Sequence, residues 1–292
     1  MALDAATAAA LVPKRDPDGH KGTFGTVVCV CGSLDYAGAA LLAGTAAARA
    51  GAGLAVLAVP ASLQSLFAGR VPELVTLGLP EVAGGTDIDA MESGHALKAK
   101  QADSLVVGCG LRESEGYRQL VVELIGRSGP PMVVDGGALN MLSASGEWWR
   151  GGRRECVLTP HPGEFERLMG APAGSSDAER RTAAAAAAER FGQVVVLKGA
   201  RTVIAEPTGR VVVAPFANPA LATAGSGDVL AGTIGALLAQ SLRPFNAACV
   251  GVYLHGRAGE RLREQFGDAG VLASDLPRVI AFARHELVAQ NS

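Results

Sequence analysis

Aromatic residues are scarce in this sequence, with Phe, Tyr and Trp making up 4% of 292 positions. A core built around large rings is therefore excluded. With 49% hydrophobic residues, the interior has to come from close-packed Ala, Val and Leu. Excess charge is also lacking. Lys and Arg number 26 against 28 Asp and Glu, a net charge of −2, and no long basic run occurs. That speaks against a nucleic-acid partner. The five cysteines, Cys29, Cys31, Cys109, Cys156 and Cys249, contain no Cys-x-x-Cys pair and no zinc-ligand spacing. An odd, unpaired set suggests buried reduced thiols and a cytoplasmic location.

Other absences narrow the chemistry. There is no Gly-x-x-x-x-Gly-Lys-Ser/Thr loop, so the chain is not a P-loop enzyme. Gly225-Ser226-Gly227 is too short for a nucleophile elbow. Residues 36–60 are apolar, but Arg49 and several glycines interrupt them and Pro60 ends them. A helix and a buried strand are expected there, not a membrane span. The opening residues lack the basic run of a signal peptide. No internal repeat or long linker is present. Residues 84–85 and 171–176 read as loops, so one domain over residues 1–292 is the expected organisation.

What is there alternates regularly. Apolar runs at residues 26–31, 54–59, 74–79, 104–108, 132–135, 156–158, 194–197, 202–205 and 211–214 predict strands. Helical patterns cover 36–50, 115–125, 162–169, 177–191, 227–239, 244–266 and 274–285. Near-continuous apolar strands separated by helices imply an α/β fold with a mainly parallel sheet covered on both faces. Glu206-Pro207-Thr208-Gly209 predicts a hairpin between the last two strands.

The most informative stretch runs from Asn218 to Gly232. Ala224-Gly225-Ser226-Gly227 has almost no side chain, so a ligand can approach its backbone. Amides at the start of the next helix make an anion site. Asp228 stands at its mouth, and a carboxylate beside a phosphate cradle suits a base that deprotonates an attacking hydroxyl. The same residues also suit a plain helix start, with Asp favoured by the helix dipole.

Further candidates sit at strand ends. Lys198-Gly199 could reach a nucleotide or simply be solvated. His161 lies between Pro160 and Pro162, whose fixed backbone suits ligand positioning or an ordinary helix entry. Gly108-Cys109-Gly110 allows close ligand approach but matches only half of a dinucleotide fingerprint. Asp135 could meet a metal-bound phosphate or hold a loop.

These motifs occur in one order: His20-Lys21-Gly22, Gly32-Ser33 with Tyr36-x-Gly38-Ala39, Gly108-x-Gly110, Asp135 with Leu139-Asn140, Thr159-Pro160-His161-Pro162-Gly163-Glu164, Lys198-Gly199-Ala200 and Gly225-Ser226-Gly227-Asp228. Together they resemble the NAD(P)H-hydrate dehydratase family of the ribokinase-like superfamily, over about residues 20–265. The closing Gly-Ser-Gly-Asp belongs to the superfamily at large; Thr-Pro-His-Pro-Gly-Glu with Tyr-x-Gly-Ala is more specific.

The resemblance implies a three-layer α/β/α sandwich of ribokinase-like type. It implies ADP-dependent repair of NADHX and NADPHX, the C6-hydrated cofactors, by phosphorylation of the C6 hydroxyl and loss of phosphate. Asp228 would be the base, with Gly225, Ser226 and Gly227 steadying the transferred group. Ala39, Gly110 and His161 would join Asp228 in binding the hydrated cofactor. Lys198, Gly199, Ala200, Arg201 and Thr202, with Gly227, would bind the nucleotide. Mg2+ is implied, its ligands undefined, as are a homo-oligomer (a tetramer in relatives) and no nucleic-acid or membrane partner. Since the first family motif is at His20, a fused epimerase domain is not expected, and a separate epimerase would cooperate.

Two departures stand out. Arg112 replaces a family glycine, and Gly137 replaces a family aspartate. The Gly-Ser-Gly-Asp turn alone also admits a small-molecule kinase for a vitamin-precursor alcohol. The missing acid at Gly137 admits a non-catalytic nucleotide-binding protein.

Overall fold

The computed structural model describes residues 3–84 and 87–289. Gly85, the second half of the expected 84–85 loop, lies outside them, as do the ends of the expected 1–292 domain. Nine strands form one sheet: β1 (Thr26–Val30), β2 (Leu54–Pro60), β3 (Val75–Leu79), β4 (Ser104–Val107), β5 (Met132–Val134), β6 (Cys156–Leu158), β7 (Val194–Leu197), β8 (Val203–Ala205) and β9 (Val211–Val213). The helices are α1 (Ala5–Leu11), α2 (Ala37–Arg49), α3 (Gln64–Phe67), α4 (Ala90–Ala99), α5 (Glu115–Gly126), α6 (Gly136–Ser143), α7 (Pro162–Met169), α8 (Asp177–Phe191), α9 (Ser226–Ala239), α10 (Pro244–Phe266) and α11 (Leu276–Ala289).

The sheet order is β3-β2-β1-β4-β5-β6-β7-β8-β9. Strands β3 through β7 are parallel, and β8 and β9 add an antiparallel hairpin. The expected turn closes it, with the Glu206 and Gly209 amides bonded across residues 206–210. Strand β1 shows why both faces are apolar. Val27, Cys29 and Cys31 join the core under α1, α2, α9, α10 and α11. Val28 and Val30 join the core under α4 to α8. The result is the three-layer α/β/α sandwich. All five cysteines are buried and free. Among the described residues, no helix is long and apolar enough to cross a membrane.

Local chemistry sets the helix ends. Ser176 and Glu179 form a capping box that starts α8, and Gly192, in the left-handed region, ends it. The predicted starts at Tyr36 and Ser274 move inward: Tyr36 is the cap of α2, and a 3-10 turn over Ala273–Asp275 precedes α11.

Small residues bring α9 into the middle of the molecule. From Val229 to Ala239 every residue is buried. A Cβ on Gly232 would fall 2.1 Å from the Ala43 carbonyl oxygen of α2. The two backbones therefore touch, and α9 can point its N-terminus at the carboxyl ends of the parallel strands. Ligands gather at those ends in open α/β sheets, where strand order reverses; here that is between β1 and β4.

Gly232→Val should push α2 and α9 apart and cost about 1–3 kcal/mol or more. Thermal unfolding would show a clear drop in Tm; an unchanged Tm would mean that the helices are not in this close contact.

Candidate active site

Five loops meet at the carboxyl ends of the strands. Asp135 follows β5, Thr159 to His161 follow β6, and Lys198 follows β7. Gly108 to Gly110 follow β4, and the start of α9 closes the ring. A cavity of about 730 Å3 opens there, lined among others by Asp135, His161, Glu164, Lys198, Gly227 and Asp228.

The polar centre is a buried charge cluster. Lys198 Nζ donates to Asp135 Oδ1 at 2.7 Å and lies 3.7 Å from Glu164 Oε2. Thr159 Oγ1 donates to the same Asp135 oxygen at 2.7 Å. The Cys109 thiol reaches Asp135 Oδ2 at 3.7 Å. Burial presses the Lys198 ammonium down, but Asp135 and Glu164 outweigh it and raise its pKa above the ordinary value. Lys198 is therefore a fixed cation. Arg180 Nη2 braces the loop behind it by donating to the Leu197 and Lys198 carbonyls at 3.2 Å each.

Asp228 is the other carboxylate of the cluster. One donor atom each from Cys109, Asp135 and Asp228 falls within 4.8 Å of the others. Burial, then the negative charge of Asp135, lifts the Asp228 carboxyl from 3.8 to about 7. Lys198 and the Cys109 thiol pull the other way without cancelling the shift. Asp228 can thus hold or release a proton near neutrality, as a general base must.

Backbone geometry completes the site. Gly225 caps α9 at φ +89°, a left-handed conformation in which a Cβ would also meet Leu42 at 2.6 Å. The amides of Gly227 and Asp228 lie in the first turn, ahead of any intrahelical acceptor. The Ser226 amide is directed at the Thr223 carbonyl, 3.3 Å away, so it is less free than its neighbours. Ser226 Oγ ties the turn to the Leu221 carbonyl at 2.7 Å.

His161 takes the helix-entry reading of its motif and also faces the cavity. Its Nδ1 accepts from the amides of Gly163 and Glu164, and Glu164 returns a bond to the His161 amide at 2.8 Å. It is thus the N-cap of α7, and it also lines the cavity. Gly199, Ala200 and Thr202 line the cavity as well. Arg201 does not: its Nε pairs with Asp177 at 2.9 Å.

Ala39 and Gly110 are likewise not among the cavity-lining residues. They lie against each other, since a Cβ on Gly110 would sit 2.6 Å from the Ala39 Cβ. Cys109, next to Gly110, belongs to the Asp228 cluster. The Gly137 departure has a steric counterpart, because a Cβ there would fall 2.4 Å from the Leu111 carbonyl oxygen. The loop carrying Arg112 occupies that space.

His255 was not singled out from the sequence. It sits inside α10 with no motif around it to mark it. Its Nε2 lies 3.0 Å from the Ser226 carbonyl, and burial lowers its pKa to about 4. A neutral ring donating from Nε2 therefore steadies the turn that carries Asp228.

A family model for NAD(P)H-hydrate dehydratase matches residues 27–281. The bifunctional NAD(P)H-hydrate repair enzyme Nnr of Moorella thermoacetica is 44% identical over 275 residues, covering 94% of this chain and 52% of that protein. The ADP-dependent (S)-NAD(P)H-hydrate dehydratase of Neisseria meningitidis serogroup B is 38% identical over 282 residues, 94% of this chain and 89% of that one. Among solved structures, the ADP/ATP-dependent NAD(P)H-hydrate dehydratase from Bacillus subtilis, co-crystallised with ATP/Mg2+, has a TM-score of 0.83 at 31% identity, covering 98% of both chains. This chain spans about half the length of the bifunctional relatives it matches.

The Asp228 shift has a cost in stability. The unfolded carboxyl ionises near its ordinary 3.8, the folded one near 7. Between those values the folded state holds the extra proton, so stability from this group falls as pH rises and the loss is complete above about 7. Asp228→Asn should therefore raise Tm relative to wild type at pH 8 and change it little at pH 4. A variant equally or less stable at pH 8 would contradict the shift.

Proposed function

The chain belongs to the NAD(P)H-hydrate dehydratase family, and on that footing we propose that it dehydrates C6-hydrated NADH and NADPH with ADP as phosphoryl donor. One observation carries this reading: a carboxylate with its pKa near 7 stands at the amide-bearing start of α9, beside a buried lysine. Related proteins named for the same reaction support the substrate class.

In this reading Asp228 accepts the proton of the C6 hydroxyl as its oxygen attacks the terminal phosphorus of ADP. AMP leaves, and the free amides of Gly227 and Asp228 stabilise charge on the transferred group. Lys198 lies on the same side and offsets charge on the nucleotide. Phosphate then departs from C6 and a proton is lost from the adjacent C5, so that the C5=C6 double bond of the reduced nicotinamide forms again. Lys198, Gly199, Ala200, Thr202 and Gly227 form the nucleotide side of the site. Ala39 and Gly110, with His161, form the side for the hydrated cofactor. The ion pair between Arg201 and Asp177 favours a supporting role for Arg201 in the loop, away from direct ligand contact.

Mg2+ fits this donor set in part. It keeps several waters and is commonly held by one or two carboxylates together with phosphates. Asp135 and Glu164 can supply those oxygens, whereas the Cys109 thiol is a poor ligand for it. When bound, the ion would neutralise charge on the nucleotide phosphates. We place the protein in the cytoplasm as a homo-oligomer that works with an epimerase. Five free thiols support the compartment, and the bifunctional relatives support the link to an epimerase.

Purified protein given ADP, Mg2+ and hydrated cofactor should restore the absorbance of reduced nicotinamide. No recovery with either ADP or ATP rules the activity out. Asp228→Asn should lower kcat by about 10²–10⁴-fold while ADP still binds. In wild type, kcat/KM should rise with pH to a plateau with a midpoint near 7, because only ionised Asp228 can take the proton. A flat profile from pH 5 to 8 would remove Asp228 as the base.

A further inference from the structure

The loop after β7 is gripped from behind by the first turn of α8. Arg180 Nη2 donates to the Leu197 and Lys198 carbonyls at 3.2 Å each. Its Nη1 lies 2.6 Å from where a Cβ on Gly199 would stand, so the guanidinium fills the space a side chain there would need. Gly199 itself is at φ +146°, a backbone conformation that favours glycine. One turn earlier on α8, Asp177 pairs with Arg201 Nε at 2.9 Å. The loop is therefore held at both ends by the same helix.

Arg180 does not line the cavity. Any effect it has on a ligand must pass through the peptide it holds. Among the described residues no peptide bond is cis. In a trans peptide the C=O and N–H point in opposite directions. With the Lys198 carbonyl turned to Arg180, the Gly199 N–H points away from the guanidinium. Among the described residues, none accepts from that N–H. Gly199 is exposed and lines the cavity, next to Lys198. A guanidinium bonded to the carbonyl also polarises the peptide and makes its N–H a stronger donor. A reachable amide of this kind beside a fixed cation suits an anionic oxygen.

We propose that Arg180 is a positioning residue: it holds the Lys198–Gly199 peptide so that the Gly199 amide donates to a phosphate oxygen of the donor nucleotide. The inference rests on the nucleotide-dependent reading of the site and adds to it the group that aims the loop. Lys198 has anchors of its own. Its Nζ is bonded to Asp135, and its amide donates to the Pro160 carbonyl at 2.9 Å. Loss of Arg180 should therefore act on nucleotide binding and spare the rest of the site.

Arg180→Met keeps an apolar stem and removes every donor. KM and calorimetric Kd for ADP should rise about tenfold or more, the worth of one hydrogen bond to a charged group. The kcat at saturating ADP and the KM for hydrated cofactor should stay near wild type. An unchanged Kd for ADP overturns the proposal. So does an equal loss of affinity for both substrates, the mark of a general loosening. A second measurement uses wild-type protein and needs no variant to fold. Lys-Gly occurs at Lys21-Gly22 and at Lys198-Gly199. Labelling lysine at the carbonyl carbon and glycine at nitrogen selects those amides in an NMR spectrum. Saturating ADP should move the Gly199 amide proton downfield and leave Gly22, which does not line the cavity, in place. A Gly199 amide that does not move overturns the proposal. Wild-type protein that binds neither ADP nor ATP ends the nucleotide reading itself, and this inference with it.

Discussion

The site depends on one electrostatic constraint: three carboxylates share one ammonium in a poorly solvated pocket. Lys198 is bonded to Asp135 and lies close to Glu164. That leaves Asp228 without a cation of its own, near a negative neighbour and partly withdrawn from water. Its proton affinity rises as a result. The same imbalance that lifts the proton affinity of Asp228 makes it a cost to folding. Such a cost is tolerable only in a fold that holds the group in place by other means.

Those means are small side chains and backbone bonds. Alanine and glycine let α9 lie against α2 and the sheet, with Ser104 Oγ bonded to the Gly235 carbonyl at 2.7 Å. The few large residues do local work: Trp148 stacks on Phe191 with centroids 5.2 Å apart, beneath α8 and away from the site. The position of Asp228 is then fixed from three directions. Gly225 sets the turn, Ser226 Oγ ties it to Leu221, and His255 braces it through the Ser226 carbonyl. Because the α9 amides are fixed by the helix, an anion bound there would meet donors already in position.

Much of this was legible in the sequence, for physical reasons that also explain what was not. The strands of a sheet buried on both faces are near-continuous apolar runs, so all nine appear close to where they were expected. Helices with strong end signals were equally clear: α7, α8 and α10 have their expected bounds. Helices α1, α3, α4 and α6 were not among those expected. Helix α6 begins at a glycine pair directly behind Asp135, and α4 carries a mixed pattern with Gly94 at its centre. Gly225 to Asp228 and Lys198 announced themselves because glycine turns at element ends are rare enough to notice. His255 did not, since one histidine inside a long helix has no local signature. Whether it meets Ser226 is decided by packing between α9 and α10. The pairing of Arg201 with Asp177, which keeps it from the cavity wall, is likewise a tertiary choice.

The surroundings of Asp228 hold its carboxyl proton to near neutral pH. A carboxyl-carbon NMR titration of protein labelled at aspartate tests it most directly, with Asp228→Asn identifying the resonance. One aspartate signal, absent in the variant, should titrate with a midpoint near 7. A midpoint near 4 would contradict it.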